Sequence, residues 1–183
     1  MSQVEKASKL LSYMLRHKPE VFNITLDKEG WASVEELVAS TAQHSIKLTE
    51  ELIAMVVMED DKGRYELSPH RDEVRAVQGH STTSVDIAYP VQVPPVTLYH
   101  GTALKNLDSI KKHGLVSANR HYVHLSADTD TAVSVGKRHG DPVVIAIDCK
   151  KMLEAGHKFY LAPNGVWLVE QVDKEFLKYS VTA

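Results

Sequence analysis

Val96-Thr97-Leu98-Tyr99-His100-Gly101-Thr102 is the stretch whose reading decides the fold of this 183-residue chain. Its β-branched and apolar residues predict a strand over 96–100. That strand delivers a histidine, a glycine and a hydroxyl to a turn where backbone and ligand can approach closely. A helix over about 103–113 is expected next, with Leu104, Leu107 and Ile110 inward. Lys111, Lys112 and His113 followed by Gly114 close it, cations at the negative end of the helix and then a glycine. Tyr122-Val123-His124-Leu125-Ser126 repeats the idea: a short strand carrying a histidine, ended by a hydroxyl. The two segments predict the walls of a ligand cleft.

Outward from these walls the pattern alternates. A helix over about 128–138 opens on Asp128, and Val143-Val144-Ile145-Ala146-Ile147 reads as the most buried strand of the chain. A helix from Lys150 ends near Gly156, and strands follow at Phe159–Leu161, Val166–Val169 and Phe176–Val181, with Asn164-Gly165 as a turn. This predicts a compact α+β domain and not a doubly wound sheet. Neither a Gly-x-Gly-x-x-Gly run nor a Gly-x-x-x-x-Gly-Lys-Ser/Thr run occurs, so the common nucleotide cradles are absent.

The first half reads differently. Val4, Ala7, Leu10, Leu11 and Met14 fall on one face of a helix over 3–17. Pro19 stops it and leaves Arg16, His17 and Lys18 in its last turn. Asp27–Gly30 is a turn before Trp31; Ser33 with Glu36 forms a capping box for a helix over 34–43, and Thr49 caps another over 50–59. Asp60–Gly63 turns the chain into a strand at Arg64–Leu67, and Glu73–Val77 is a second strand. Three helices followed by a hairpin outline a winged-helix module. Residues 82–95, with Pro90, Pro94 and Pro95, read as extended connecting chain. The expected division is therefore 1–89, a linker at 90–95, and 96–183.

One cysteine, Cys149, excludes an internal disulfide framework and a cysteine-rich zinc site. The first residues lack signal-peptide shape and no apolar run approaches membrane-spanning length, so a cytoplasmic monomer is expected. The net charge of −3 gives no global basic field, so a phosphate-binding surface has to be a local cluster of cations. The halves differ: 10 Lys and Arg face 15 Asp and Glu in residues 1–89, against 11 and 9 in residues 96–183. Ten histidines raise the question of metal. His121 and His124 are three apart near a strand, a spacing that points side chains to opposite faces, and no His-Glu-x-x-His exists. No metal site is expected. Arg16, Arg64 and Arg120 each sit at an element end beside a histidine or a turn glycine. Converging guanidinium forks make a phosphate clamp.

Six segments occur in order: Leu15–Pro19, Lys62–Tyr65, Arg75–Ser81, Tyr99–Thr102, Arg120–Ser126 and Asn164–Leu168. In that register the chain resembles the RNA (tRNA) 2′-phosphotransferase family over nearly its whole length. The resemblance implies an N-terminal winged-helix lobe that binds RNA, joined to a C-terminal ADP-ribosyltransferase-like lobe that binds NAD. It implies that Arg16, His17, Arg64 and Arg120 engage the RNA 2′-phosphate. It implies that His100 and His124 are the first two members of the ADP-ribosyltransferase triad, with Gly101 and Thr102 beside the NAD ribose or carboxamide. The third triad position, a glutamate in many protein-modifying relatives, falls at Val166; an acceptor that is already an anion does not need that carboxylate. Tyr122 stands where the family pattern has another histidine.

The reaction so implied removes an internal RNA 2′-phosphate, as on spliced tRNA, by transfer to ADP-ribose from NAD. The products are 2′-hydroxyl RNA, nicotinamide and ADP-ribose 1″,2″-cyclic phosphate. Two other readings stay open: an ADP-ribosyltransferase that stops with ADP-ribose on a nucleic-acid phosphate, and a non-catalytic RNA-binding module.

Overall fold

A computed structural model describes residues 1–179. The chain is mixed helix and sheet, and among the described residues every strand pairing is antiparallel. It divides into two compact units, Met1–Ala88 and a second that begins at Tyr89.

In the first unit, helix α1 spans Gln3–Arg16. Ser2 caps it: its hydroxyl accepts from Glu5 N–H at 3.1 Å, and the Glu5 carboxylate accepts from Ser2 N–H at 2.6 Å. Ala7, Leu10, Leu11, Met14 and Leu15 bury one face. The helix ends where the Pro19 ring would meet it, and the chain passes into a 3₁₀ turn, Pro19–Phe22. Strand β1 (Trp31–Ser33), helix α2 (Val34–Ser40), helix α3 (Glu50–Met58), strand β2 (Tyr65–Leu67) and strand β3 (Glu73–Ala76) follow. The sheet order is β1-β3-β2. Leu11, Met14, Leu15, Leu37, Ile53 and Val74 sit at the centre of the core.

Helix α2 stops three residues before its expected end at 43. Thr41 turns its hydroxyl back onto the Leu37 carbonyl at 3.1 Å and accepts from Leu48 N–H at 3.0 Å, so a buried side chain ties the helix end to the next segment. Strand β1 was read only as the residues after a turn; three residues are too few to show a period of two.

In the second unit, strand β4 runs Thr97–Ala103, longer than its expected 96–100. A 3₁₀ turn, Leu104–Asn106, replaces the first turn of the expected helix, which as α4 covers Leu107–His113. Then come β5 (Leu115–Val116), β6 (Val123–Leu125), α5 (Thr129–Lys137), β7 (Pro142–Asp148), α6 (Cys149–Glu154), β8 (Tyr160–Leu161), β9 (Trp167–Val169), β10 (Gln171–Val172), a 3₁₀ turn (Lys174–Phe176) and β11 (Leu177–Tyr179). The strand expected over 176–181 begins only at Leu177, and Ser180 and Val181 lie outside the described residues. The two-residue pair β5 and β10 carries no readable pattern.

Strand β7 lies between β4 and β11, but it is not the most buried strand: Ile145 and Ile147 are fully buried while Val143, Val144 and Ala146 are half-buried, and it is β9 that is buried at every position. A second sheet has the order β6-β9-β8. The stretch expected to be plain connecting chain is fastened on its own side: Val91 bridges Tyr160, and Leu161 N–H donates to the Pro90 carbonyl at 3.2 Å. Tyr122 packs edge-on against Tyr89, 5.9 Å between centroids, and tilted against Tyr160 at 5.5 Å. Among the described residues no helix is long and apolar enough to cross a membrane.

Candidate functional site

Three of the four residues assigned to phosphate lie in the first unit, and the fold gathers them. Arg16 is the last residue of α1 and is buried; Arg64 immediately precedes β2. The two guanidinium carbons lie 6.0 and 5.7 Å from the centre of the Tyr65 ring. Tyr65 is itself fixed, its hydroxyl donating to the Ser8 carbonyl of α1 at 2.8 Å. One aromatic ring thus ties two cations from distant positions to a common support. Tyr65 closes the Lys62–Tyr65 segment, but nothing in the sequence assigns it a role as the support of two guanidinium groups.

Arg64 is aimed by Asp60. The Asp60 side chain is 1% exposed and accepts from Arg64 Nε at 2.8 Å and from Nη2 at 2.7 Å. Its second oxygen accepts the Arg64 backbone N–H. Burial works against the Arg64 cation, but the bonds and charge of Asp60 outweigh it and raise its pKa. Read as a turn residue, Asp60 is in addition the carboxylate that sets the direction of the guanidinium fork.

His17 follows Arg16 at the C-cap of α1, its N–H donating to the Tyr13 carbonyl. Its Nδ1 is 2.9 Å from Ser81 Oγ. Gln78, Gly79 and His80, on the way to Ser81, are all buried, and Gln78 Oε1 has no hydrogen-bond partner among the described residues.

The second unit holds the histidine wall. Strands β4 and β6 meet at one bridge, with Tyr99 and Ser126 exchanging backbone bonds at 2.9 and 2.8 Å. One residue on, His100 Nδ1 lies 3.0 Å from the His124 carbonyl. A carbonyl only accepts, so Nδ1 carries the hydrogen and Nε2 of the neutral ring is an acceptor. The two predicted walls are neighbours. Thr102 is buried and accepts from Asn106 Nδ2 at 3.2 Å. Gly101 shows a different reason for its glycine from the one expected: the place of a Cβ is filled by the Ala132 carbonyl of α5. Val166 is half-buried one residue before β9, and its carbonyl accepts from Ala162 N–H at 2.9 Å.

Desolvation lowers the His100 pKa; the bond to the His124 carbonyl opposes this and the charge of His139 adds to it. His100 is therefore neutral at pH 7. An NMR titration is expected to give His100 a midpoint below its ordinary 6.5. Because the unfolded chain takes up that proton first, the stability due to neutral His100 is complete above about 6.5. It is lost as pH falls toward the lower folded value.

Arg120 stands in a turn, its N–H donating to the Ser117 carbonyl at 3.0 Å, and is exposed. Desolvation and then repulsion from Arg138 lower its pKa. Two cations that repel each other are relieved by an anion. In the sequence only the place of Arg138 beside His139, just after α5, marks it. No group of three or more His, Cys, Asp or Glu side chains is gathered as metal ligands among the described residues. Cys149 is buried, and desolvation pushes its thiol up to about 11, which leaves it inert.

Comparison with known proteins finds relatives over nearly the whole chain. A profile described as "RNA 2′-phosphotransferase, Tpt1 / KptA family" matches residues 2–171. A Pseudomonas aeruginosa (strain PAO1) protein named "Probable RNA 2′-phosphotransferase" is 50% identical over 175 residues, covering 96% of each chain. One of the same name from Escherichia coli O6:K15:H31 is 48% identical over 177 residues, covering 97% of this chain and 96% of the other. Another from Pseudomonas savastanoi is 45% identical over 175 residues, 96% of this chain and 93% of its own.

Proposed function

Since the chain belongs to the RNA 2′-phosphotransferase family, we propose that it removes an internal 2′-phosphate from RNA, with NAD as the consumed co-substrate. The products in this reading are 2′-hydroxyl RNA, nicotinamide and ADP-ribose 1″,2″-cyclic phosphate. A winged-helix role for the first unit, an ADP-ribosyltransferase role for the second, a tRNA-like substrate and a cytoplasmic monomer belong to the same proposal. The observation that carries it is the cluster in which Arg16 and Arg64 lie on Tyr65, with His17 held against Ser81.

NAD supplies an electrophilic ribose carbon with nicotinamide as its leaving group. The remaining tasks fall to the protein. Arg16 and Arg64 present forked donors to phosphate oxygens, and the carboxylate of Asp60 and the ring of Tyr65 keep the Arg64 fork in place before substrate arrives. Arg120 is assigned to the same phosphate chemistry. His17 is assigned a phosphate bond or a proton transfer.

The neutral His100 fits a cationic nicotinamide ribose: its Nε2 accepts a ribose hydroxyl without adding repulsion. His124, Gly101, Thr102 and Val166 are assigned to the same side. An apolar Val166 suits an acceptor that arrives already charged.

The test uses a short RNA bearing one internal 2′-phosphate, incubated with and without NAD. Loss of the phosphate only with NAD, together with a cyclic ADP-ribose phosphate, is the expected result. An ADP-ribosylated RNA that persists identifies a transferase that stops halfway. Unchanged RNA in both arms overturns the reading.

A further inference from the structure

We propose that Ser81 is a positioning residue for His17: it fixes the ring as the Nδ1–H tautomer and gives Nε2 to the phosphate. The proposal rests on the assignment of His17 to that phosphate. The last carbonyls of an α-helix lack intrahelical donors, and Arg16 is the last residue of α1. Its carbonyl accepts from Ser81 N–H at 2.8 Å and from Thr82 N–H at 3.4 Å. A segment some 65 positions away therefore completes the end of the helix that carries Arg16 and His17.

Gly79 lets the chain reach that end. Its φ of +90° is a conformation that L side chains rarely adopt, and a Cβ there would touch Arg16 Nε at 3.4 Å and Cζ at 3.5 Å. The turn so made brings Ser81 Oγ to 2.9 Å from His17 Nδ1 and 3.4 Å from the Arg16 carbonyl. A hydroxyl has one proton and two lone pairs. Of Ser81 and the carbonyl, only Ser81 can donate. With its proton directed there, Oγ accepts from His17 Nδ1–H. That bond is compatible with both the neutral ring and the imidazolium. Nε2 then meets the phosphate, as an acceptor in the first state and a donor in the second. Were the Ser81 proton directed at Nδ1 instead, Nε2 would carry hydrogen in the neutral ring and could not act as a base.

The full chain with ¹⁵N-labelled histidine, above neutral pH, decides between these arrangements. The His17 signals are assigned by their loss in His17→Asn. The expected result is the Nδ1–H tautomer in the parent protein, a mixed tautomer in Ser81→Ala, and recovery in Ser81→Thr. In parallel, kcat for 2′-phosphate removal should fall about 10- to 100-fold in Ser81→Ala with little change in KM, and recover in Ser81→Thr. An Nε2–H tautomer in the parent overturns the proposal, as does an unchanged tautomer in Ser81→Ala. If Ser81→Ala loses its folded spectrum, the parent tautomer alone decides. Should the parent fail to act on the phosphorylated RNA, the functional reading falls, while the tautomer still settles the role of Ser81.

Discussion

Arg64→Ala is expected to slow 2′-phosphate removal about 100- to 1,000-fold, the range seen when one preorganised donor to a developing oxyanion is lost. Arg64 is suited to such a role because its direction is set in advance. Nε and Nη2 are held by a carboxylate that is itself almost wholly enclosed, and the guanidinium stays partly exposed. The alanine variant also leaves Asp60 buried without its cation, so a stability loss of about 1–3 kcal/mol should accompany the kinetic one. Two controls separate the effects. Arg64→Lys keeps the charge but cannot hold Asp60 and an anion with one planar fork, so it should recover stability better than rate. Asp60→Asn keeps Arg64 but loosens its aim and should reduce rate with KM little changed. Single-turnover kinetics and thermal denaturation of the three variants are the measurements. An Arg64→Ala protein as fast as the parent sinks the phosphate assignment.

The places of Arg16, His17, His100 and His124 in the fold were legible in the sequence, and the residues that support them were not. Arg16 and His17 were placed at a helix end because Pro19 announces it, and α1 ends there. His100 and His124 were placed on two facing strands by their β-branched surroundings, and one bridge joins those strands. Tyr65, Asp60 and Ser81 do their work through contacts whose partners no local pattern names. Asp60 reads as a turn residue, Tyr65 as a strand residue, and Ser81 as the end of a polar run. Short elements failed for a related reason. Strands β1, β5 and β10 have two or three residues each, and pairing with a neighbour defines them more than any periodicity of their own. Helix α2 was read too long because its stop is a buried hydroxyl, Thr41, and not a proline or glycine.

Gly101→Ala is the change expected to do most damage to the second unit, although it adds only one methyl group. Gly101 lies within β4, paired opposite Val144 of β7, so the strand cannot slide away without breaking its ladder. Over it lies α5. An added Cβ would stand 1.7 Å from the Ala132 carbonyl oxygen and 2.6 Å from its carbon, and both are backbone atoms of a fully buried residue. No rotamer relieves such an overlap; the helix has to move by more than an ångström. A second close approach limits that movement, since Gly136 of the same helix faces the Thr102 carbonyl. Overpacking that only backbone displacement can relieve belongs at the upper end of its range, about 3 kcal/mol or more. For a unit of this size that corresponds to a fall in Tm on the order of 10–20 °C. The result also separates two reasons for a glycine within the His100 strand. If Gly101 served only the approach of a ligand, the alanine variant would melt like the parent and lose only NAD affinity. The backbone packing predicts that melting temperature falls first, and that activity falls with it because His100 sits on the same strand.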